Sequence, residues 1–257
     1  LKQIEPWGYS TPYALSAKFN LHRNYAEYLI GKGRLRAKQI NQILAGIEDH
    51  KKTAYDEAYI EELYLRFQNH EVDDAVILAS LEEKLRQKKI LILAPGASIL
   101  KCREKIETFI GEEKPVVFAA NFAPSDYHAD YIFCSNAMRY DALEEKKEES
   151  TVLITSNLTD VCEEKNVLNY ADLCFDEKGV CDNCVIMLMK LLIRLKAGQV
   201  YVAGFDGYQK EGGNYVTSYM ASQYTKGTEE NIRNRAYLEK IRKQIEVVFL
   251  TDSLYNR

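Results

Sequence analysis

From residue 89 onward the chain is organised by short, unbroken apolar runs separated by longer stretches of mixed polarity. Lys89-Ile90-Leu91-Ile92-Leu93-Ala94 ends at Pro95-Gly96, and the pattern returns at Pro115 to Ala120, Tyr131 to Cys134, Thr151 to Thr155, Val200 to Ala203 and Val247 to Leu250. Short runs without polar alternation predict strands covered on both faces, the environment of a parallel sheet. Between them the sequence predicts helices over Ile99 to Ile110, Met138 to Glu145, Asn183 to Lys196 and Thr228 to Lys243. Strand and helix in alternation imply an α/β domain: an open, mostly parallel sheet with helices on both faces, three layers in all.

The pattern before residue 87 is different. Ile40, Ile43, Leu44 and Ile47 recur at helical spacing, as do Tyr59, Ile60, Leu63, Tyr64 and Phe67, and then Val76, Ile77, Leu81 and Leu85. Residues 1–86 therefore read as a small all-helical segment and 87–257 as the α/β domain.

Composition narrows the function classes. The formal net charge is -4, from 34 basic and 38 acidic side chains, which gives no general attraction to nucleic acid or anionic membrane. No apolar stretch is long enough to span a bilayer, and no secretory leader is evident, so a cytoplasmic location is expected. The six cysteines lie among apolar residues, as buried thiols do. Cys181-Asp182-Asn183-Cys184 has C-x-x-C spacing but no second ligand pair, so no metal site is expected.

In open α/β sheets ligands gather where strands end at their carboxyl edge. After the first strand comes Ala94-Pro95-Gly96-Ala97-Ser98, a turn whose Gly96 and Ser98 suit either an anion or a simple helix cap. Asn121 follows the second strand and Asn136 the third; their amides suit a base or ribose, or the loop backbone. Val200 to Ala203 runs into Gly204-Phe205-Asp206-Gly207-Tyr208, which leaves the Asp206 carboxylate at the same edge, a candidate general base. From Gly207 to Gly227 there are four glycines and four tyrosines, Tyr208 and Tyr215 among them, a composition that suits a lid over a ligand. Asp182 and Asn183 start the apolar helix and would turn its N-terminus toward the same crevice.

Taken in order, Pro95-Gly96-Ala97-Ser98, Asn121, Asn136, Asp182-Asn183 and Ala203-Gly204-Phe205-Asp206-Gly207-Tyr208 with Tyr215 resemble the bacterial sialyltransferase type of nucleotide-sugar glycosyltransferase. The same pattern is similar to archaeal-type 6-hydroxymethylpterin diphosphokinases. The resemblance implies a Rossmann-like domain holding a nucleotide or nucleotide-sugar, cytidine type favoured, with the tyrosines near its phosphate. Those transferases carry a catalytic histidine in the lid; here His22, His50, His70 and His128 all lie upstream of that region, which leaves Asp206 to serve. Trp7-Gly8-Tyr9-Ser10-Thr11-Pro12-Tyr13 and Asn20-Leu21-His22 resemble the region after the barrel of 4-hydroxy-2-oxovalerate aldolase and HMG-CoA lyase-like enzymes. With Leu1 at the start, that implies the C-terminal part of an aldolase-like lyase fusion. The barrel itself would be a partner outside this chain, surface-sugar synthesis the setting, and a homo-oligomer compatible with it. The alternative is a non-catalytic assembly or regulatory module of such a lyase.

Overall fold

The computed structural model describes residues 71–136, 139–140, 143, 149–158, 164–174, 183–209, 215–216 and 227–256. The first two helical runs, the Trp7 to His22 motif, Cys181, Asp182 and most of the predicted Met138 to Glu145 helix lie outside them. The elements, numbered here in chain order, are helix α1 (Ala75–Leu85), β1 (Lys89–Leu93), α2 (Ser98–Lys101), α3 (Arg103–Glu113), β2 (Val116–Ala120), β3 (Tyr131–Cys134), β4 (Thr151–Thr155), β5 (Val167–Leu168), α4 (Cys184–Arg194), β6 (Gln199–Ala203), α5 (Gly227–Arg242) and β7 (Glu246–Phe249). A 3-10 turn follows β4 at Ser156–Leu158 and another closes the described chain at Leu254–Asn256.

The strands form one seven-stranded sheet in the order β5-β4-β3-β2-β1-β6-β7. The pairs β1–β2, β1–β6, β2–β3, β4–β5 and β6–β7 all run parallel. This is the α/β class that the apolar runs predict, and the reason is burial. Ile90, Leu91, Ile92 and Leu93 of β1 are at most 1% exposed, which a strand reaches only when both faces are covered.

The chain divides into two compact units. One comprises Leu1–Asp73, Ser135–Ala142 and Ile154–Asp182; the other comprises Asp74–Cys134, Leu143–Leu153 and Asn183–Arg257. Within the first, Asn169 clamps the backbone of Val72, accepting from its N–H at 2.8 Å and donating to its carbonyl at 2.7 Å.

The second unit holds β1, β2, β3, β6 and β7 with all five numbered helices. Here α3 packs through Phe109 on Tyr201 of β6, ring centroids 4.4 Å apart. On β7, Phe249 is in register with Val202, so it faces away from Tyr201. Arg242 of α5 lies over that Phe249 ring, and α4 packs against α5 and on β2 and β3. Helices therefore cover both faces.

Three local differences from the sequence pattern have physical causes. The predicted helix Ile99 to Ile110 is broken at Cys102, which caps the end of α2 and the start of α3. Because β5 is two residues long, it carries too little apolar sequence to register as a run. Val76 of the third helical run is 80% exposed, whereas Leu81 and Leu85 are buried, so α1 buries its C-terminal half alone.

Candidate functional site

Strand order sets where the site can lie. From β1 the chain moves outward through β2 to β3 in one direction, and β6 and β7 are laid on the other side of β1. The order reverses between β1 and β6, the switch point at which loops leave the carboxyl edge in opposite directions and open a crevice. The turn carrying Gly96 and Ser98 leaves β1 there, and the loop carrying Asp206 leaves β6 beside it.

The two exits are stitched together beyond the strands. Ala94 N–H donates to Ala203 O at 2.8 Å and Gly96 N–H to Gly204 O at 2.8 Å. That approach needs glycine on both sides. A Cβ on Gly96 would stand 2.1 Å from the Gly204 carbonyl oxygen and 2.6 Å from Asp206 Cγ, and Gly204 takes φ +77°, a region that suits glycine.

Across this junction Ser98 N–H donates to Asp206 Oδ2 at 2.8 Å, and the Ser98 hydroxyl donates to Asp206 Oδ1. The anion received by the Gly96 to Ser98 turn is thus the chain's own carboxylate, reaching from 108 residues away. Burial raises the Asp206 carboxyl above its ordinary range. The two Ser98 bonds and the nearby Lys101 pull it down, the charge of Asp252 adds a small upward push, and the net shift is upward.

A pH prediction follows. Asp206 binds its proton more tightly folded than unfolded, so its ionisation costs stability as pH rises from the ordinary carboxylate value of 3.8 through the raised one, and nothing further above it. Relative to wild type, Asp206→Asn is expected to gain stability across that acid window and then run parallel to it up to neutral pH. Denaturant unfolding at a series of pH values checks this; a wild-type advantage that grows over the same window contradicts the upward shift.

The remaining candidate residues are placed as follows. Tyr215 forms an antiparallel bridge with Gly96, and Val216 N–H donates to Pro95 O at 2.9 Å, so this piece of the tyrosine-rich segment runs alongside the β1 exit. Tyr208 follows Asp206, its N–H donating to Asn231 Oδ1 at 2.9 Å and its carbonyl accepting from Asn231 Nδ2 at 2.8 Å. Asn121 takes φ +59°, which asparagine tolerates better than most residues, and its N–H donates to Phe133 O at 2.8 Å. Asn136 belongs to the first unit, where its Oδ1 accepts from Arg139 N–H at 3.1 Å. Asn183 caps α4, its side chain accepting from the N–H groups of Val185 and Ile186 at 3.0 and 3.3 Å.

Asn231 and Tyr255 are missing from the sequence reading. Nothing in their local sequence sets them apart, because their roles come from the loop that α5 packs beside. Among the described residues no cluster of three His, Cys, Asp or Glu side chains is arranged to hold a metal. None of the described helices is long and apolar enough to cross a membrane.

No protein-family model matches the chain, and no curated protein does. Among solved structures it is similar to a mammalian sialyltransferase, with 11% sequence identity and a TM-score of 0.44 over 77% of this chain and 86% of that one.

Proposed function

We propose that the α/β domain binds a nucleotide or nucleotide-sugar at the switch point between β1 and β6 and transfers a glycosyl or phosphoryl group from it. The observation that carries this reading is the meeting of Ser98 and Asp206 at that point, with the Tyr215 segment alongside. A half-buried carboxyl held above its usual range at a sheet's carboxyl edge has the character of a general base. In the glycosyl case the sugar carbon leaves the nucleotide phosphate oxygen and bonds to an acceptor hydroxyl, whose proton passes to Asp206. The cytidine preference, and attachment to an aldolase-like lyase barrel outside this chain, rest on the sequence resemblances given above.

One observation favours the alternative of a non-catalytic assembly or regulatory module: each Asp206 oxygen already holds a bond from Ser98, which is what a residue tying two loops together would show. Calorimetric titration of the full chain with cytidine, uridine, adenosine and guanosine mono- and diphosphates separates the two readings. Saturable binding of one nucleotide, weakened by Ser98→Ala, is the expected result. Heats of dilution alone for every nucleotide at millimolar concentration would leave the module reading standing.

A further inference from the structure

The turn after β1 receives the Asp206 carboxylate, so a ligand's phosphate has to be held elsewhere along this edge. A half-open cavity of about 190 Å³ lies at the exit of β7, lined by Lys105 of α3 and by Phe249, Thr251, Asp252 and Asn256. The loop that forms it is bonded to the β6 exit. Gly204 N–H donates to Thr251 Oγ1 at 3.0 Å, Ser253 Oγ donates to Phe205 O at 2.6 Å, and Leu254 N–H donates to Asp206 O at 2.9 Å. The charge of Asp252 also bears on Asp206. Cavity and switch point therefore share one loop system.

The lining has a definite donor balance. Among the described residues the Lys105 ammonium makes no ion pair and no hydrogen bond, so a cation with three donors borders the cavity. The Thr251 oxygen is occupied as an acceptor by Gly204 N–H, which leaves its hydroxyl proton to give. The Asn256 Oδ1 accepts from Arg242 Nη2 at 2.7 Å, which leaves its NH₂ to give. Among the described residues Asp252 supplies the sole carboxylate of the lining. Several donors and one cation suit the oxygens of a phosphoryl group, and a single carboxylate suits a sugar hydroxyl while repelling a bare phosphate dianion.

We propose that this cavity takes the phosphorylated sugar portion of the ligand, with Lys105, Thr251 and Asn256 on the phosphoryl oxygens and Asp252 on a sugar hydroxyl. The inference deepens the nucleotide reading and rests on it. Titration of the full chain with ribose 5-phosphate, cytidine monophosphate and inorganic phosphate tests it, because the first probe reports on the cavity without the base. The expected result is binding of ribose 5-phosphate that is tighter than that of inorganic phosphate, weakened about tenfold or more by Lys105→Ala and retained by Lys105→Arg. Lys105 is exposed, so neither variant endangers folding. Ribose 5-phosphate binding that is absent, or unchanged in Lys105→Ala, overturns the proposal. If cytidine monophosphate then still binds and depends on Ser98, the nucleotide reading survives without this cavity. Lys105-dependent binding of ribose 5-phosphate with no nucleotide binding upholds the cavity and removes the nucleotide.

Discussion

Gly204→Ala is expected to cost the domain about 2 to 5 kcal/mol, the sum of a left-handed alanine and a forced displacement in a packed region. The new Cβ would lie 2.0 Å from the Ala94 carbonyl oxygen, at a residue with φ +77°. Neither obstacle can be avoided by a side-chain rotation, because the colliding atom is backbone and the same backbone pairs β1 with β6. The loop would have to leave the β1 exit, and Ser98 would lose Asp206 with it. Gly111 supplies the control. It sits in α3 with nothing within 4 Å of an added Cβ, so Gly111→Ala is expected to stabilise by roughly 0.5 to 1 kcal/mol through helix propensity. Thermal or denaturant unfolding of both variants checks the pair. Equal and small effects would mean that the β1 and β6 exits are not held together as described.

The fold was legible because burial on both faces writes itself into the chain. β3 and β4 have the bounds that the apolar runs Tyr131 to Cys134 and Thr151 to Thr155 mark out, β1, β2 and β6 differ from theirs by a residue at one end, and β7 is shifted by one residue toward the N-terminus. β5 was not legible: two residues give no period. Polar stops after strands could be found by position, but their partners could not. That Ser98 binds Asp206 follows from β1 and β6 being neighbours, and neighbour relations are a property of strand order, which alternation alone leaves open. The same holds for Lys105, an ordinary residue on an amphipathic helix until β7 ends beside it. Sequence pattern thus locates the edge at which chemistry can occur, and topology decides which side chains share it.

Tyr255→Ala is the second large effect expected, about 3 to 5 kcal/mol as for other truncations of buried aromatic side chains. Tyr255 is 2% exposed and its ring lies 4.4 Å from that of Phe205, the residue just before Asp206. Its hydroxyl donates to Asn231 Oδ1 at 3.1 Å and accepts from Asn234 Nδ2 at 3.2 Å, and burial pushes the phenol far above its usual range, so it stays protonated. Asn231 in turn holds Tyr208 by both backbone groups. Ring and hydroxyl therefore support the loop after β6 in separate ways, and Tyr255→Phe divides them. That variant keeps the packing on Phe205 but strands the Nδ2 of Asn234, a residue 1% exposed whose Oδ1 already lacks a partner among the described residues, at a cost of about 1 to 3 kcal/mol. Denaturant unfolding should place Phe between wild type and Ala. If Phe equals wild type, the polar network adds nothing to the hold on Tyr208; if Phe equals Ala, the ring stacking does not support the loop that presents Asp206.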